Sequence, residues 1–223
     1  MSRRATTSPR SIDLEAALDE RGDIVAWQGD FWIALNHIVA FKPLDFPLLA
    51  AAETDVPRSG NWVGFLFRNS GIGYTLPNVR VNTRHVEKAF FRSAHLRSPG
   101  RIENTFANES FIDELAFAAQ ADPAEYRLRY MKDPRCRGDP EGDGTREMAV
   151  ARRHQLRHGR WRHRARNLID RPDLPTFAVG EPTPCAIPAA IGNAVFDATG
   201  ARLREVPFTP DRVKAALVRP LGA

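Results

Sequence analysis

Short apolar runs of strand character fill the chain before residue 90, helical spacing takes over after residue 100, and between residues 135 and 167 neither pattern holds. Ile12–Leu18 and Ile24–Leu35 are apolar stretches joined by Asp19, Glu20, Arg21, Gly22 and Asp23. An Asp/Gly-rich joint between two such runs is a hairpin signal. Trp27, Phe31 and Trp32 are expected to pack a sheet face, since aromatics are ordinary strand residues. Lys42–Tyr74 holds several Pro and Gly with no sustained period and reads as an irregular connection. Asn78–Val86 alternates apolar and polar residues, as a half-buried strand does.

Beyond Arg97–Gly100 the spacing becomes helical. Phe106, Phe111, Leu115 and Ala119 recur at the intervals of one helix face, with Asn104 or Thr105 as the expected cap. A second helix is predicted to start at Asp122 and Pro123, with Asp as N-cap and Pro at the first helical position, and to run through Tyr130. Ala189–Thr199 reads as an Ala-rich helix stopped by Gly200. Arg202–Phe208 follows as a short strand-like exit, and Thr209–Leu217, with its Thr cap, Pro and Asp, is predicted to be a terminal helix. The fold class expected from this order is α+β: an N-terminal strand meander, a central helical pair over about residues 102–131, and a C-terminal helix, strand and helix.

The stretch from Arg135 to Asn167 changes the composition abruptly. Ten arginines and His154, His158 and His163 surround a Gly/Asp-rich opening with few large aliphatics. Such a segment buries too little apolar surface to offset its ordering entropy, so disorder or an exposed helix is expected. Much of the net charge of +5 comes from this one segment, which makes the global charge weak support for a polyanion partner. Trp161 is the only aromatic interleaved with the arginines, so there is no stacking platform for single-stranded nucleic acid. His154 and His158 lie one helical turn apart, but no carboxylate or Cys completes a metal set and the neighbouring Arg charge opposes a cation.

With 223 residues the chain is long enough for one large domain or two small ones, and its 43% hydrophobic and 26% charged residues are globular values. Cys136 and Cys185 alone give no disulfide framework and no CxxC motif, which fits a reducing cytoplasm. The N-terminal Arg3 and Arg4 are followed by polar and acidic residues from Ser11 to Glu20 where a signal peptide needs an apolar core. No run approaches the roughly 20 apolar residues that cross a bilayer. A soluble, cytoplasmic protein is expected. There is no Walker A loop, no GxGxxG after a strand and no nucleophile elbow.

Two motifs carry candidate chemistry. Arg97 precedes the Ser98, Pro99, Gly100 turn, and Asn104, Phe106, Ala107 and Glu109–Ala116 follow. Gly180, Glu181 and Pro182 lie farther on, with Ala186–Phe208 behind them. Both motifs resemble the large molybdopterin-binding subunit of the xanthine dehydrogenase and aldehyde oxidase family, and specifically its nicotinate- and isoquinoline-oxidising branch. The resemblance is loose over residues 10–135, close over 177–217, and absent from Cys136 to about Leu174. It implies that Arg97, Gly100 and Gly180 bind the molybdopterin cofactor and that Glu181 is the catalytic general base.

Arg suits that role because its planar, permanently charged fork matches the oxygens of a pterin or phosphate. A carboxylate serves as a base best in a partly dehydrated pocket that raises its pKa. By residue type alone, Arg97 could equally pair with Glu103 or Glu109, and Glu181 could be an exposed turn residue.

The implied activity is hydroxylation of an N-heteroaromatic ring or an aldehyde with water-derived oxygen, electrons passing to a separate iron-sulfur small subunit. The chain lacks much of the family's cofactor cradle, so it is expected to be truncated and inactive alone. The expected divisions are a disordered 1–10, a partial molybdopterin-binding domain at 11–134, an Arg-rich or frameshifted link at 135–175, and a C-terminal piece at 176–223. A shift of reading frame after Asp133–Arg135 accounts for the Arg-rich text; a genuine basic linker is the alternative. The competing functions are polyanion or nucleic-acid binding through that segment, or a non-catalytic remnant that docks on a partner subunit. Phe90, Phe91 and Phe117 are expected to be exposed in such a fragment.

Overall fold

A computed structural model describes residues 10–34, 66–86, 97–132 and 184–218. Among the described residues three strands and four helices follow in order: β1 (Arg10–Leu18), β2 (Ile24–Ala34), β3 (Val79–Val86), α1 (Arg101–Ala118), α2 (Pro123–Tyr130), α3 (Ile187–Thr199) and α4 (Pro210–Val218). The strands form one sheet in the order β1-β2-β3, and the architecture is α+β.

The β1–β2 hairpin forms where the sequence predicts it. The Asp19 carboxylate accepts the N–H groups of Arg21 and Asp23, at 3.0 and 2.9 Å, and the Gly22 N–H donates to the Asp19 carbonyl. Gly22 has φ +78°, and a Cβ there would lie 2.7 Å from the Ala119 Cβ, so the turn can press against the end of α1 only as glycine. Pairing is antiparallel from Arg10 opposite Ile33 to Leu18 opposite Ile24, with an irregularity at Ala17 and Leu18.

Period-two alternation places Trp27, Gly29, Phe31 and Ile33 on the buried face. Trp32 therefore does not join Trp27 and Phe31; it sits on the other face, half-buried, with the Arg84 guanidinium 5.3 Å above its ring. The expectation that all three aromatics share one face ignored that adjacent residues point to opposite sides.

β3 follows β2 in sheet order as a meander would, yet the pairing is parallel, Trp27 opposite Val79 through Ala34 opposite Val86. Arg84 and Asn82 bind the Asp30 carboxylate from β3, which ties the two strands across their polar face. Most of β3 is exposed, and Val81 is the residue that packs inward against Phe31, Ile33 and Leu66.

α1 starts at Arg101, with Gly100 at the N-cap in the left-handed region, φ +79°, and no side-chain cap. Asn104 and Thr105 are thus inside the helix rather than at its start, because the glycine turns the chain one helical turn earlier than a side-chain cap would. The buried residues of α1 are Asn104, Phe106, Asn108, Ile112, Asp113, Leu115 and Ala116, so Phe106 and Leu115 are buried as expected, while Phe111 is half-buried against the core. Its lower half joins Trp27, Ile24, Tyr126 and Tyr130 in the main core. The ring of Trp27 meets that of Phe111 at 5.1 Å.

α2 begins as predicted: the Asp122 carboxylate accepts the N–H groups of Ala124 and Glu125, and Pro123 fills the first position. Its two tyrosines pin the hairpin. The Tyr126 hydroxyl donates to the Gly22 carbonyl at 2.8 Å, and the Tyr130 hydroxyl accepts the Ile24 N–H at 2.7 Å.

α3 lies along α1 where Gly192 admits the rings of Phe106 and Phe208, 3.5 and 3.6 Å from where a Cβ would stand. It stops at Gly200, φ +74°, whose N–H bonds the Phe196 carbonyl, as predicted. Residues 201–209 form no strand, in contrast to the strand-like exit expected for Arg202–Phe208: side-chain bonds from Arg202 and Arg204 to α1 hold them instead. Thr209 precedes α4 as expected, its hydroxyl accepting the Arg212 N–H at 3.4 Å. Phe117 is 65% exposed and meets Phe196 edge-on at 5.3 Å. Phe90, Phe91 and the Arg-rich stretch with its three histidines lie outside the described residues.

Candidate functional site

Arg97 and Gly100 fall in one turn that feeds directly into α1. Arg97 is exposed, while Ser98 and Gly100 are buried. Ser98 has φ +61° and Gly100 φ +79°, and the turn is closed by the Arg101 N–H to the Ser98 carbonyl at 3.0 Å. A non-glycine residue in the left-handed region is held there only by surrounding contacts. The turn thus presents an exposed guanidinium at the N-terminus of an 18-residue helix that no side chain caps. The partial positive charge of that terminus and the cation of Arg97 favour the same kind of ligand, an anion or an electron-rich ring edge. This donor set fits the pterin and phosphate oxygens of a molybdopterin cofactor.

The turn is backed by a second one. Asn69, φ +60°, lies in the turn from Leu66 to Asn69, closed by the Ser70 N–H to the Phe67 carbonyl at 3.0 Å. Asn104, fully buried in α1, donates its amide to the carbonyls of Leu66 and Arg68 at 3.1 and 2.8 Å. One helical turn on, Asn108 donates to the carbonyls of Asn69 and Ser70. Arg10 reaches both turns from β1, and burial pulls its guanidinium below the ordinary value against the opposing charge of Glu103.

A second polar group lies on the side of α1 that faces α2 and α3. Glu109 accepts the Arg127 Nε at 3.0 Å and the Tyr74 hydroxyl at 3.0 Å, which places it in this group and away from the ion pair with Arg97 that its residue type allowed. Asp113 binds Arg127 at 3.4 Å and Arg202 at 3.2 Å. Arg202 also donates to Asn193 Oδ1 and lies 3.5 Å from the centre of the Phe196 ring. Burial lowers the Arg202 guanidinium and Asp113 opposes it; for Arg127 burial also acts downward, but Glu109 and its neighbours outweigh it and the net direction is upward. Burial raises the Tyr74 hydroxyl, reinforced by Glu109. These are structural ties between helices, since each charge already faces an opposite one.

Gly180 and Glu181 lie outside the described residues; the described chain resumes at Pro184 and enters α3. Among the described residues no group of His, Cys, Asp and Glu could hold a metal ion, and no helix is long and apolar enough to cross a membrane. Arg10 and Asn108 were not singled out by sequence, and Asn104 was named as a cap and a motif residue but not as the buried tie to the Leu66–Asn69 turn. Two signals were available: an Asn pair at i and i+4 within a helix, and an Arg at the inward parity of a strand.

Residues 56–131, which contain both turns, α1 and α2, match the family model for the molybdopterin cofactor-binding domain. This segment belongs to that family. Over 249 aligned residues the chain is 27% identical to a nicotinate dehydrogenase subunit of Pseudomonas putida, covering 65% of this chain and 21% of the relative. The chain therefore spans about a fifth of that relative's length.

Three solved structures are also similar: the aldehyde oxidoreductase from Desulfovibrio gigas, at 19% identity and TM-score 0.44 over 69% of this chain and 15% of that one; the aldehyde oxidoreductase from Desulfovibrio desulfuricans, at 21% and 0.49 over 69% and 16%; and quinoline 2-oxidoreductase from Pseudomonas putida, at 16% and 0.46 over 70% and 20%. None reaches a TM-score of 0.5, so the family assignment rests on the sequence matches.

Proposed function

We propose that this chain is a piece of a molybdenum hydroxylase large subunit, of the kind that oxidises N-heteroaromatic rings or aldehydes, and that its Arg97–Gly100 turn contacts the cofactor. The observation that carries this is the exposed Arg97 guanidinium beside the uncapped terminus of α1, inside the segment matched by the cofactor-binding family. When bound, the cofactor supplies the molybdenum redox chemistry. Arg97 would bind and orient it, and Gly100, having no side chain, would let the backbone approach closely. Gly180 would do the same from the C-terminal piece, and the Glu181 carboxylate would accept the proton released as oxygen is transferred. Electrons would leave to an iron-sulfur small subunit in the cytoplasm.

The same reading divides the chain into an N-terminal arm, expected at 1–10 but ending before Arg10, which belongs to β1, then a partial cofactor-binding domain to 134, an Arg-rich link at 135–175 and a C-terminal piece at 176–223. An alignment of 249 residues that draws on 65% of a 223-residue chain leaves many of the relative's positions without a counterpart here. That supports loss of an internal stretch, and the Arg-rich link is where the family pattern breaks. Catalytic groups must be held within a fraction of an ångström, so a chain missing much of its cradle is inactive alone.

Titrating the full chain with molybdopterin, followed by tryptophan fluorescence, tests the site. Saturable binding that weakens about tenfold in Arg97→Ala, as expected for a lost charge-assisted contact, supports it, while identical binding by the two proteins refutes it. Turnover of nicotinate or an aldehyde by the isolated chain would refute the inactivity. Translating the gene in its other two frames over codons 130–180 tests the link: a family-like apolar helix and Gly-rich strand in one frame is the expected outcome, and their absence from both removes the frameshift.

A further inference from the structure

Arg10 occupies the first inward position of β1. Ile12, Leu14, Ala16 and Leu18 share its parity and face the core, so strand geometry sends the Arg10 side chain inward as well. There a single nitrogen, Nη1, donates to the Leu66 carbonyl at 2.7 Å, the Asn104 Oδ1 at 2.8 Å and the Gly100 carbonyl at 3.2 Å. The other two nitrogens, Nε and Nη2, are buried without a partner among the described residues. A guanidinium that leaves two nitrogens, three N–H donors in all, unpaired in the interior is costly to keep. What it does with the remaining nitrogen is to join two turns, each holding a non-glycine residue in the left-handed region, Asn69 in one and Ser98 in the other.

We propose that Arg10 is a positioning residue: it fixes the Leu66–Asn69 turn against the Arg97–Gly100 turn and so sets the wall at which the cofactor lies. The inference rests on the Arg97–Gly100 turn being the cofactor contact. Its physical basis is convergence. Leu66, Gly100 and the Asn104 amide turn their oxygens to one point, and three oxygens brought together repel unless a cation stands among them. Asn104 alone cannot do this, since its own oxygen is one of the three and its amide nitrogen is committed to Leu66 and Arg68. Arg10 acts on the wall from behind, so it positions rather than contacts.

Residue-resolved amide exchange on the full chain tests this, because each turn carries its own reporter: the Ser70 N–H on the Phe67 carbonyl and the Arg101 N–H on the Ser98 carbonyl. The Tyr126 N–H, bonded to the Asp122 carbonyl in α2, is the control. In Arg10→Met the two reporters should exchange about tenfold faster, the worth of one lost hydrogen bond, with the control unchanged and part of the protection restored in Arg10→Lys. Unchanged reporters, or equal acceleration of all three amides, would overturn the proposal.

Should Arg10→Met fail to fold, Asn104→Asp decides. It keeps the acceptor for Arg10 but loses the amide donated to Leu66 and Arg68, and should therefore free Ser70 while Arg101 stays protected; acceleration of both alike would count against Arg10. The molybdopterin titration run in parallel separates the two claims. A wild-type chain that binds no pterin defeats the site reading, whereas the exchange pattern alone judges Arg10.

Discussion

Individual charges in this protein differ sharply in what their removal does, and burial sets the difference. The Arg202 side chain is 6% exposed, and Asp113 is its charged partner. Asp113→Ala leaves that guanidinium buried with a neutral amide for company, and the expected loss is about 3–5 kcal/mol in a urea melt. Glu114→Ala breaks the two 2.9 Å bonds to Arg204, but Arg204 is 65% exposed and solvent replaces the partner, so the same melt should shift by less than about 1 kcal/mol. Arg97→Ala should leave the melt unchanged within about 0.5 kcal/mol, since the residue is exposed, and show itself in pterin binding only. At this scale the sequence was partly legible. Arg97, Gly100 and Asn104 stood in a motif long enough to recognise, but Arg10 and the Asn104 amide act through carbonyls of distant turns, and no local pattern announces which carbonyls the fold will bring to them.

Elements were read best where their ends carry their own chemistry. Asp122 and Pro123 place the start of α2, and Gly200 the end of α3, because the cap is made by the residue itself and needs no tertiary context. Asp122→Ala should cost about 1 kcal/mol by denaturant midpoint. α1 was misplaced at its start because its cap is a glycine conformation; its face was read in part, since Phe106 and Leu115 are buried and Phe111 and Ala119 pack against the core, while the buried Asn104 and Asn108 break the apolar pattern.

The hairpin carries a pH dependence with a definite sign. The Asp19 carboxyl is held below its ordinary value, first by the Asp23 N–H and also by Arg21, with burial opposing. A depressed folded-state value means the contribution is complete above the unfolded value and is lost as pH falls through the folded one. Urea midpoints should therefore drop on acidification from neutral pH to about 3, where carboxylates titrate, and the drop should be smaller in Asp19→Asn. An equal drop in both would assign the effect elsewhere.

At the scale of the fold, the sequence conveyed the α+β order and the described strands and helices, but not the coil at 201–209 or the direction of β3. Whether a third strand runs parallel or antiparallel depends on the path between, and Lys42–Tyr74 has no period that would disclose it. That parallel pairing has a consequence in time. The antiparallel hairpin closes across a five-residue joint and can form within microseconds. β3 must return across the long connection from Ala34 to Val79 before its first bond to β2 forms, and the entropy of closing such a loop is spent before any contact repays it. During synthesis, β2 emerges with a bare edge and keeps it until residue 79 has been made and has come back. Through that interval the strand carrying Phe31 and Ile33 is open to any other unpaired strand, so crowding of nascent chains is expected to favour pairing between copies.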